Sequence, residues 1–125
     1  MAQSVEERVR RSKAHPRVYA LLIDAAEQKK TVTYGEIAAI MGLPPSGQHT
    51  GNVVSIMLRL ISGSEHDADR PMLSAMAVSS TNQMPGSGFY AMAERYGLTS
   101  PDASREEKQS FWRAQRDSVY EVWSS

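Results

Sequence analysis

Hydrophobic residues recur at helical spacing along most of this 125-residue chain. In the clearest stretch, Thr33 and Glu36 have the spacing of a capping box, in which each side chain bonds a backbone N–H at the helix start. The apolar positions that follow share one helix face and precede a Gly-Leu-Pro-Pro stop: Ile37, Ile40 and Met41. A longer apolar helix is predicted to begin between Ser46 and Asn52. The pattern therefore predicts a helix-turn-helix over about residues 33–62.

The same reasoning predicts elements on both sides of this motif. Residues 4–13 have the pattern of a charged helix, and Pro16 is expected as the first residue of a second, core-facing helix. Residues 62–70 (SGSEHDADR) are polar and predict a loop. Residues 72–79 are apolar and bounded by turn residues, which predicts a buried strand. Two more helices are predicted over residues 89–96 and about 104–123.

This order of elements predicts a mainly α fold with a small β element, a winged helix-turn-helix with extra N- and C-terminal helices. A chain of 125 residues with 41% hydrophobic content suits one domain spanning residues 1–125. Within it, the strand and a reduced wing are expected at about 71–88, and the C-terminal helices at 89–123.

Composition narrows the environment and the chemistry. The chain has no cysteine, which excludes disulfides, a thiolate nucleophile and sulfur-based zinc sites. No apolar run approaches the roughly 18 residues of a membrane span, and the N-terminal region carries charges where a signal peptide is apolar. We therefore expect a soluble cytoplasmic protein with no membrane association.

The net charge is zero, but it is unevenly distributed. Residues 1–30 contain seven Lys or Arg and four Asp or Glu, a net charge of +3, which leaves −3 for the remainder. A basic segment beside a helix-turn-helix favours attraction to phosphate. The alternative is an ordinary solvated helix face of mixed charge.

Three segments, in the order TVTYGEIAAIMGLPP, NVVSIMLRL and RPMLSAMAVSSTNQMPGSGF, resemble the C-terminal winged-helix domain of DNA alkylguanine methyltransferases and alkyltransferase-like proteins. The resemblance covers residues 31–88. In that family the Tyr of the T/S-Y-G opening contacts a phosphate, the next helix enters the minor groove with an Arg finger, and a Pro-Cys-His-Arg strand supplies the reactive cysteine. The resemblance thus implies phosphate contacts at Thr33 and Tyr34. Pro71-Met72-Leu73-Ser74 stands in place of the reactive motif, so no alkyl transfer is expected.

A second resemblance extends nearly from end to end. The segment PMLSAMAVSSTNQMPGSGF and the terminal FW(x)6VYEVW pattern are similar to a poorly characterised family of small bacterial proteins. This resemblance implies a shared fold and no particular activity.

Candidate nucleic-acid-binding residues surround the start of the second motif helix. Polar side chains there can bond base edges or phosphates, and a helix N-terminus favours an anion. The alternative is that Ser46, Thr50 or Asn52 only caps the helix. Tyr34, likewise, can contact phosphate or pack on the neighbouring helix. The full candidate set comprises Lys29, Lys30, Thr33, Tyr34, Gln48, His49, Thr50, Asn52 and Arg59.

Other polar or aromatic clusters predict no chemistry. The acidic side chains of residues 65–69 have oxygen atoms that could bind a cation, but their spacing is not that of a calcium-binding loop. Gly86-Ser87-Gly88 has the pattern of a turn rather than of a phosphate-binding loop. The aromatic residues of the last helix suit core packing or, alternatively, the anchoring of a partner. No catalytic residue, metal site or cofactor is predicted.

The leading hypothesis is therefore a non-enzymatic winged-helix protein that binds double-stranded DNA with modest specificity, in a regulatory or accessory role. The alternative is a protein–protein interaction module derived from a winged helix that regulates or recruits a DNA-processing partner. The balanced net charge and the acidic 65–69 segment favour this alternative.

Overall fold

The computed structural model describes residues 4–124, and most of them are helical. Two short strands, β1 (Val32–Thr33) and β2 (Ala77–Val78), pair in parallel, and a 3₁₀ helix (Leu73–Met76) directly precedes β2. No helix within the described range is both long enough and apolar enough to cross a membrane. The helices are α1 (Val5–Arg11), α2 (Ala14–Glu27), α3 (Tyr34–Ile40), α4 (Gln48–Asp67), α5 (Ser87–Arg95) and α6 (Arg105–Trp123).

The start and end of α3 confirm the interpretation of the local sequence. Thr33 Oγ1 accepts a hydrogen bond from the Glu36 N–H at 3.2 Å, and Glu36 Oε2 accepts one from the Thr33 N–H at 3.3 Å. The capping box is therefore complete. After α3, Gly42 adopts a φ of 71°, the left-handed conformation that ends many helices and favours glycine. Residues 41–47 then lead directly into α4.

The beginning of α2 differs slightly from the prediction. The helix starts at Ala14, so Pro16 is its third residue and not its first. A proline is tolerated there because backbone N–H groups in the first turn have no intrahelical acceptor.

The loop predicted at residues 62–70 is wrong, because α4 continues to Asp67. Its polar residues include two that are fully buried, Ser62 and Glu65. Ser62 Oγ donates to Ser74 Oγ at 2.7 Å, while the Glu65 carboxylate accepts hydrogen bonds from Tyr19 and Arg70. Polar residues with satisfied hydrogen bonds can occupy a helix's inner face, so polarity alone was a misleading loop signal.

The strand predicted over residues 72–79, and the wing over 71–88, are also largely wrong. Residues 72–78 are all buried, but only Ala77–Val78 is a strand, and it pairs with β1 instead of forming a hairpin with the chain that follows. The turn ends where α5 begins at Ser87. A short, continuously apolar run has no period that separates a strand from a buried 3₁₀ helix.

The core lies where α2, α3, α4 and the 3₁₀ helix meet, and α6 covers one side of it. Leu22, Ile37 and Ile61 are fully buried there. On α6, Trp112 is 6% exposed and its Nε1–H donates to the Ala75 carbonyl at 2.9 Å. The interpretation of Trp112 as a core residue is confirmed. Through this contact α6 fixes the 3₁₀ helix, which forms one wall of the pocket described next.

Candidate ligand pocket

A pocket of about 310 Å³ lies between the N-terminal halves of α4 and α5. We call it the α4–α5 pocket. Tyr34 at the start of α3 and Ser74 in the 3₁₀ helix complete its walls. Its volume is at the lower end of the range for small-molecule sites. Four segments that are distant in sequence therefore enclose one cavity.

Both helices that flank the pocket begin without a side-chain cap. Gly47 precedes α4 with a φ of 110°, a conformation that glycine accommodates readily, and Gly86 precedes α5. By contrast, α1, α3 and α6 are capped by the hydroxyls of Ser4, Thr33 and Ser104. The first intrahelical N–H bond of α4 is that of Gly51 to the Gly47 carbonyl. The preceding N–H groups, at the positive end of the helix dipole, have no intrahelical acceptor.

The start of α5 packs against α3 and α4 through Gly86 and Gly88. A Cβ at Gly86 would lie 3.4 Å from Tyr34 Oη, and one at Gly88 would lie 3.6 Å from Ser55 Oγ. The Gly86 N–H donates a hydrogen bond to Tyr34 Oη. Burial raises the pKa of Tyr34, an effect that the Gly86 N–H partly offsets. The phenol therefore stays protonated at neutral pH, and its O–H can still donate.

Ser74 contributes a second hydroxyl of the same kind. It is 4% exposed, and its Oγ accepts a hydrogen bond from Ser62 Oγ at 2.7 Å. Its own N–H donates back to Ser62 Oγ at 3.1 Å. Ser62 Oγ thus donates to the Ser74 hydroxyl and accepts from the Ser74 N–H, so the Ser74 O–H can donate to another group. Met72, by comparison, is 2% exposed and packs in the core without lining the pocket.

Thr50 and Arg59 also line the pocket, together with the hydroxyls of Ser46, Ser55 and Ser87. Thr50 is 6% exposed, and within residues 4–124 its hydroxyl makes no hydrogen bond. Arg59 lies at the pocket and also lines a neighbouring cleft, and its Nη2 is 3.9 Å from a Glu6 oxygen of α1. None of the described residues that line the pocket is Asp, Glu or His. The described lining thus combines one cation with several hydroxyls, which can both donate and accept, and contains no carboxylate.

The structure brings only part of the predicted nucleic-acid-binding set together. Tyr34, Thr50 and Arg59 all line the α4–α5 pocket, whereas the Thr33 hydroxyl is occupied in the capping box. Gln48 and Asn52 are exposed on α4.

The other three candidates lie elsewhere. His49 lies in a groove against α1, with Arg8 and Val9. Lys29 and Lys30 line shallow clefts beside Tyr120 of α6 and share none with the α4–α5 pocket.

Two parts of the pocket were missed by reasoning from the sequence. In the sequence, Ser74 stands out only as part of Pro71-Met72-Leu73-Ser74, and Gly86-Ser87-Gly88 predicts only a turn. Both parts come to the pocket only through tertiary packing, since Ser74 and Gly86 are distant in sequence from α4.

Among residues 4–124, no three His, Asp or Glu side chains are arranged to hold a metal ion. Comparison with family models, with characterised proteins and with solved structures finds no match to this chain. What the pocket and its surroundings bind must therefore be inferred from their own residues.

Proposed function

We propose that the protein binds double-stranded DNA with modest specificity through the helix-turn-helix formed by α3 and α4, without catalysing a reaction. The contact surface is the exposed side of the first half of α4, which includes Gln48, Asn52, Ser55 and Arg59 and which we call the α4 face. The supporting observation is its charge pattern, because α4 has no acidic residue before Glu65. This helix also follows α3 directly, as the second helix of a helix-turn-helix does.

This arrangement suits a duplex for three physical reasons. The first half of α4 contributes no carboxylate that would repel phosphates, although Glu6 of α1 lies 3.9 Å from Arg59, and the N-terminus of α4 adds positive potential. Amide side chains such as Gln48 and Asn52 can both donate and accept at base edges. With Arg59 as the single cation on the α4 face, the electrostatic attraction is small, and we expect modest affinity and specificity.

We propose no catalytic role for the pocket because its hydroxyls lack a neighbouring base. Thr50 and Ser74 offer hydroxyls, but a hydroxyl nucleophile needs a neighbouring base. None of the described residues lining the pocket is a histidine or a carboxylate that could act as one. We therefore assign Thr50 and Ser74 to binding.

A protein-interaction module remains the second candidate, and a separate surface favours it. A groove between α1 and the start of α4 is lined by Val5, Val9, Met41, Leu43 and Val53, and Val5 is 43% exposed. Apolar grooves of this kind accept side chains of partner proteins. This groove lies beside His49 and not at the α4–α5 pocket.

Fluorescence anisotropy with a short labelled duplex tests the proposal. Wild-type protein should bind at about 50 mM salt and bind more weakly at about 200 mM. Arg59→Gln should weaken binding of different duplexes uniformly and reduce the slope of log affinity against log salt by about 1. The matched control is Lys29→Gln with Lys30→Gln, which removes two charges beside α6.

The control is expected to change affinity less than Arg59→Gln does. Three results would contradict the proposal: no binding at low salt, binding without salt dependence, or a larger loss in the lysine control. Absence of DNA binding by a folded protein would leave the interaction module as the better explanation.

A further inference from the structure

The groove between α1 and the start of α4, which we call the α1–α4 groove, has a volume of about 320 Å³. On α4, His49 and Val53 lie one helical turn apart and form one wall, and Met41 and Leu43 line the groove from the turn that joins α3 to α4. The other wall is a single stripe along α1, whose members have the spacing of one helix face: Val5, Arg8, Val9 and Ser12. Two helices and a turn therefore form one largely apolar surface.

The α1–α4 groove is open to solvent along its outer side. Val5 is 43% exposed, and Met41, Leu43 and Val53 are only half-buried. A small-molecule site normally encloses most of the surface of its ligand, whereas an open groove contacts a ligand mainly on one side. The shape therefore suits a few side chains of a larger molecule, the rest of which lies outside the groove.

The charges at the groove indicate what kind of segment fits it. Arg8 lines the groove and is exposed, and among residues 4–124 it takes part in no ion pair. Lys13 is also exposed and lies in sequence between two lining residues. The described lining contains no Asp or Glu, since Glu6 of α1 lines the separate cleft that contains Arg59. An apolar groove with cations beside it complements an apolar segment that carries carboxylates.

The length of the groove limits the size of that segment. Helix α1 has seven residues and is therefore about 10 Å long, or two helical turns. A contact of this length is much smaller than the surface that a stable dimer of folded domains buries. It matches a short helix that places two apolar side chains, one turn apart, into a groove.

We infer that the α1–α4 groove binds a short acidic amphipathic helix of a partner protein. Two apolar side chains of the partner contact Val5, Val9 and Val53, and its carboxylates face Arg8 and Lys13. This inference names the partner chemistry for the interaction-module candidate, on which it rests. It does not depend on duplex binding, because the groove residues are different from those of the α4 face.

Amide chemical-shift titration of ¹⁵N-labelled protein with three synthetic peptides tests the groove. The first peptide is a helix of about 15 residues with two leucines one turn apart and glutamates on both sides of them. It should perturb the amides of α1, Met41, Leu43 and Val53. A second peptide, with lysine in place of each glutamate, should bind at least about tenfold more weakly. A third, with glutamine in place of the two leucines, should also bind at least about tenfold more weakly.

Charge and apolar contact are then separated on the protein side. Arg8→Glu should weaken binding of the acidic peptide about tenfold and strengthen binding of the lysine peptide. The control, Arg113→Glu, reverses an exposed charge on α6 and should change neither affinity. Val5→Ala should weaken binding of the acidic peptide about threefold, because it removes methyl groups that the peptide covers. Its matched control is Val122→Ala, since Val122 is 41% exposed on α6, and no change is expected there.

Two other occupants of the groove are tested in parallel. Octanoate represents a free amphiphilic carboxylate, and sedimentation equilibrium of the protein alone detects binding of a second copy of this chain. If octanoate perturbs the same amides as strongly as the acidic peptide does, the ligand is a small molecule and the inference is wrong. Self-association that Arg8→Glu abolishes would likewise replace the partner protein by a second copy.

Three results with the peptides would also overturn the inference. The first is no binding of the acidic peptide, and the second is equal affinity for the acidic and the lysine peptides. The third is a loss in Val5→Ala no larger than that in Val122→Ala. Since the titrations contain no DNA and the comparison of peptides needs no variant, failure here is distinguishable from failure of duplex binding.

Discussion

Replacement of Arg70 by methionine should destabilise the protein strongly, because Arg70 compensates a fully buried carboxylate. Glu65 is 0% exposed, and its Oε2 is 2.6 Å from Arg70 Nη2. Arg70 Nε lies 3.0 Å from the same oxygen, and Tyr19 Oη donates to it at 2.6 Å. Without Arg70, Tyr19 is the only one of these side chains left to bond the carboxylate.

Arg70→Met removes the guanidinium while preserving much of the side chain. Arg70 lies over the Trp123 ring, with Cζ 5.5 Å from the ring centroid, and a thioether can also contact an aromatic ring. Removal of one partner of a buried ion pair costs about 3–5 kcal/mol. The Arg70 side chain is 39% exposed, so solvent screens the pair and we expect a loss near the lower limit, about 3 kcal/mol.

Urea denaturation of Arg70→Met measures this loss directly. The control is Arg10→Met, since Arg10 is 64% exposed and lies 3.8 Å from Glu6 in a surface pair. The control should lose less than about 1 kcal/mol. If Glu65 is replaced by methionine as well, part of the stability should return, because no charge then remains buried. A loss in Arg70→Met as small as that of the control would refute the reasoning.

Two further predictions concern the helix cap and the high-pH behaviour. Thr33→Ala should lower the free energy of unfolding, measured in urea, by about 1 kcal/mol, because it removes the helix cap. Thr33→Ser keeps the hydroxyl and should retain most of that stability. Equal losses in the two variants would argue against the cap. Burial, followed by the hydrogen bond to Glu65, raises the pKa of Tyr19 from 10.0 to about 12. As the pH rises, the unfolded chain therefore loses the Tyr19 proton before the folded protein does. The stabilisation that comes from the raised pKa is complete below pH 10 and is lost as the pH rises to about 12. Urea unfolding across that interval should show a shallower fall in Tyr19→Phe than in wild type, and identical slopes would contradict the assignment.

Local sequence signals predicted α3 well because its determinants lie within a few residues of one another. Thr33 and Glu36 cap each other, and Gly42 ends the helix through its own backbone conformation. The C-terminal helix was predictable for the same reason, since Ser104 and Glu107 form a second capping box.

The elements that were mispredicted depend on contacts between distant residues. The polar end of α4 is helical, and its buried Glu65 is bonded by Tyr19, which is 46 positions away. The pocket requires the contact between Tyr34 and Gly86, which are separated by 52 positions. Neither contact leaves a period or a spacing in the sequence. Tyr34, Thr50 and Arg59 were predicted as binding residues, while the role of Ser74 as a pocket wall depends on how the 3₁₀ helix packs.

The most direct test of the central claim is a chemical-shift map of the ¹⁵N-labelled protein with a short unphosphorylated DNA duplex at low salt. The proposed contact surface predicts perturbed amides along the α4 face, from Gln48 to Arg59, and unperturbed amides at Lys29, Lys30 and α6. Perturbations centred on Lys29, Lys30 and α6, or no perturbation at all, would contradict binding through the α4 face.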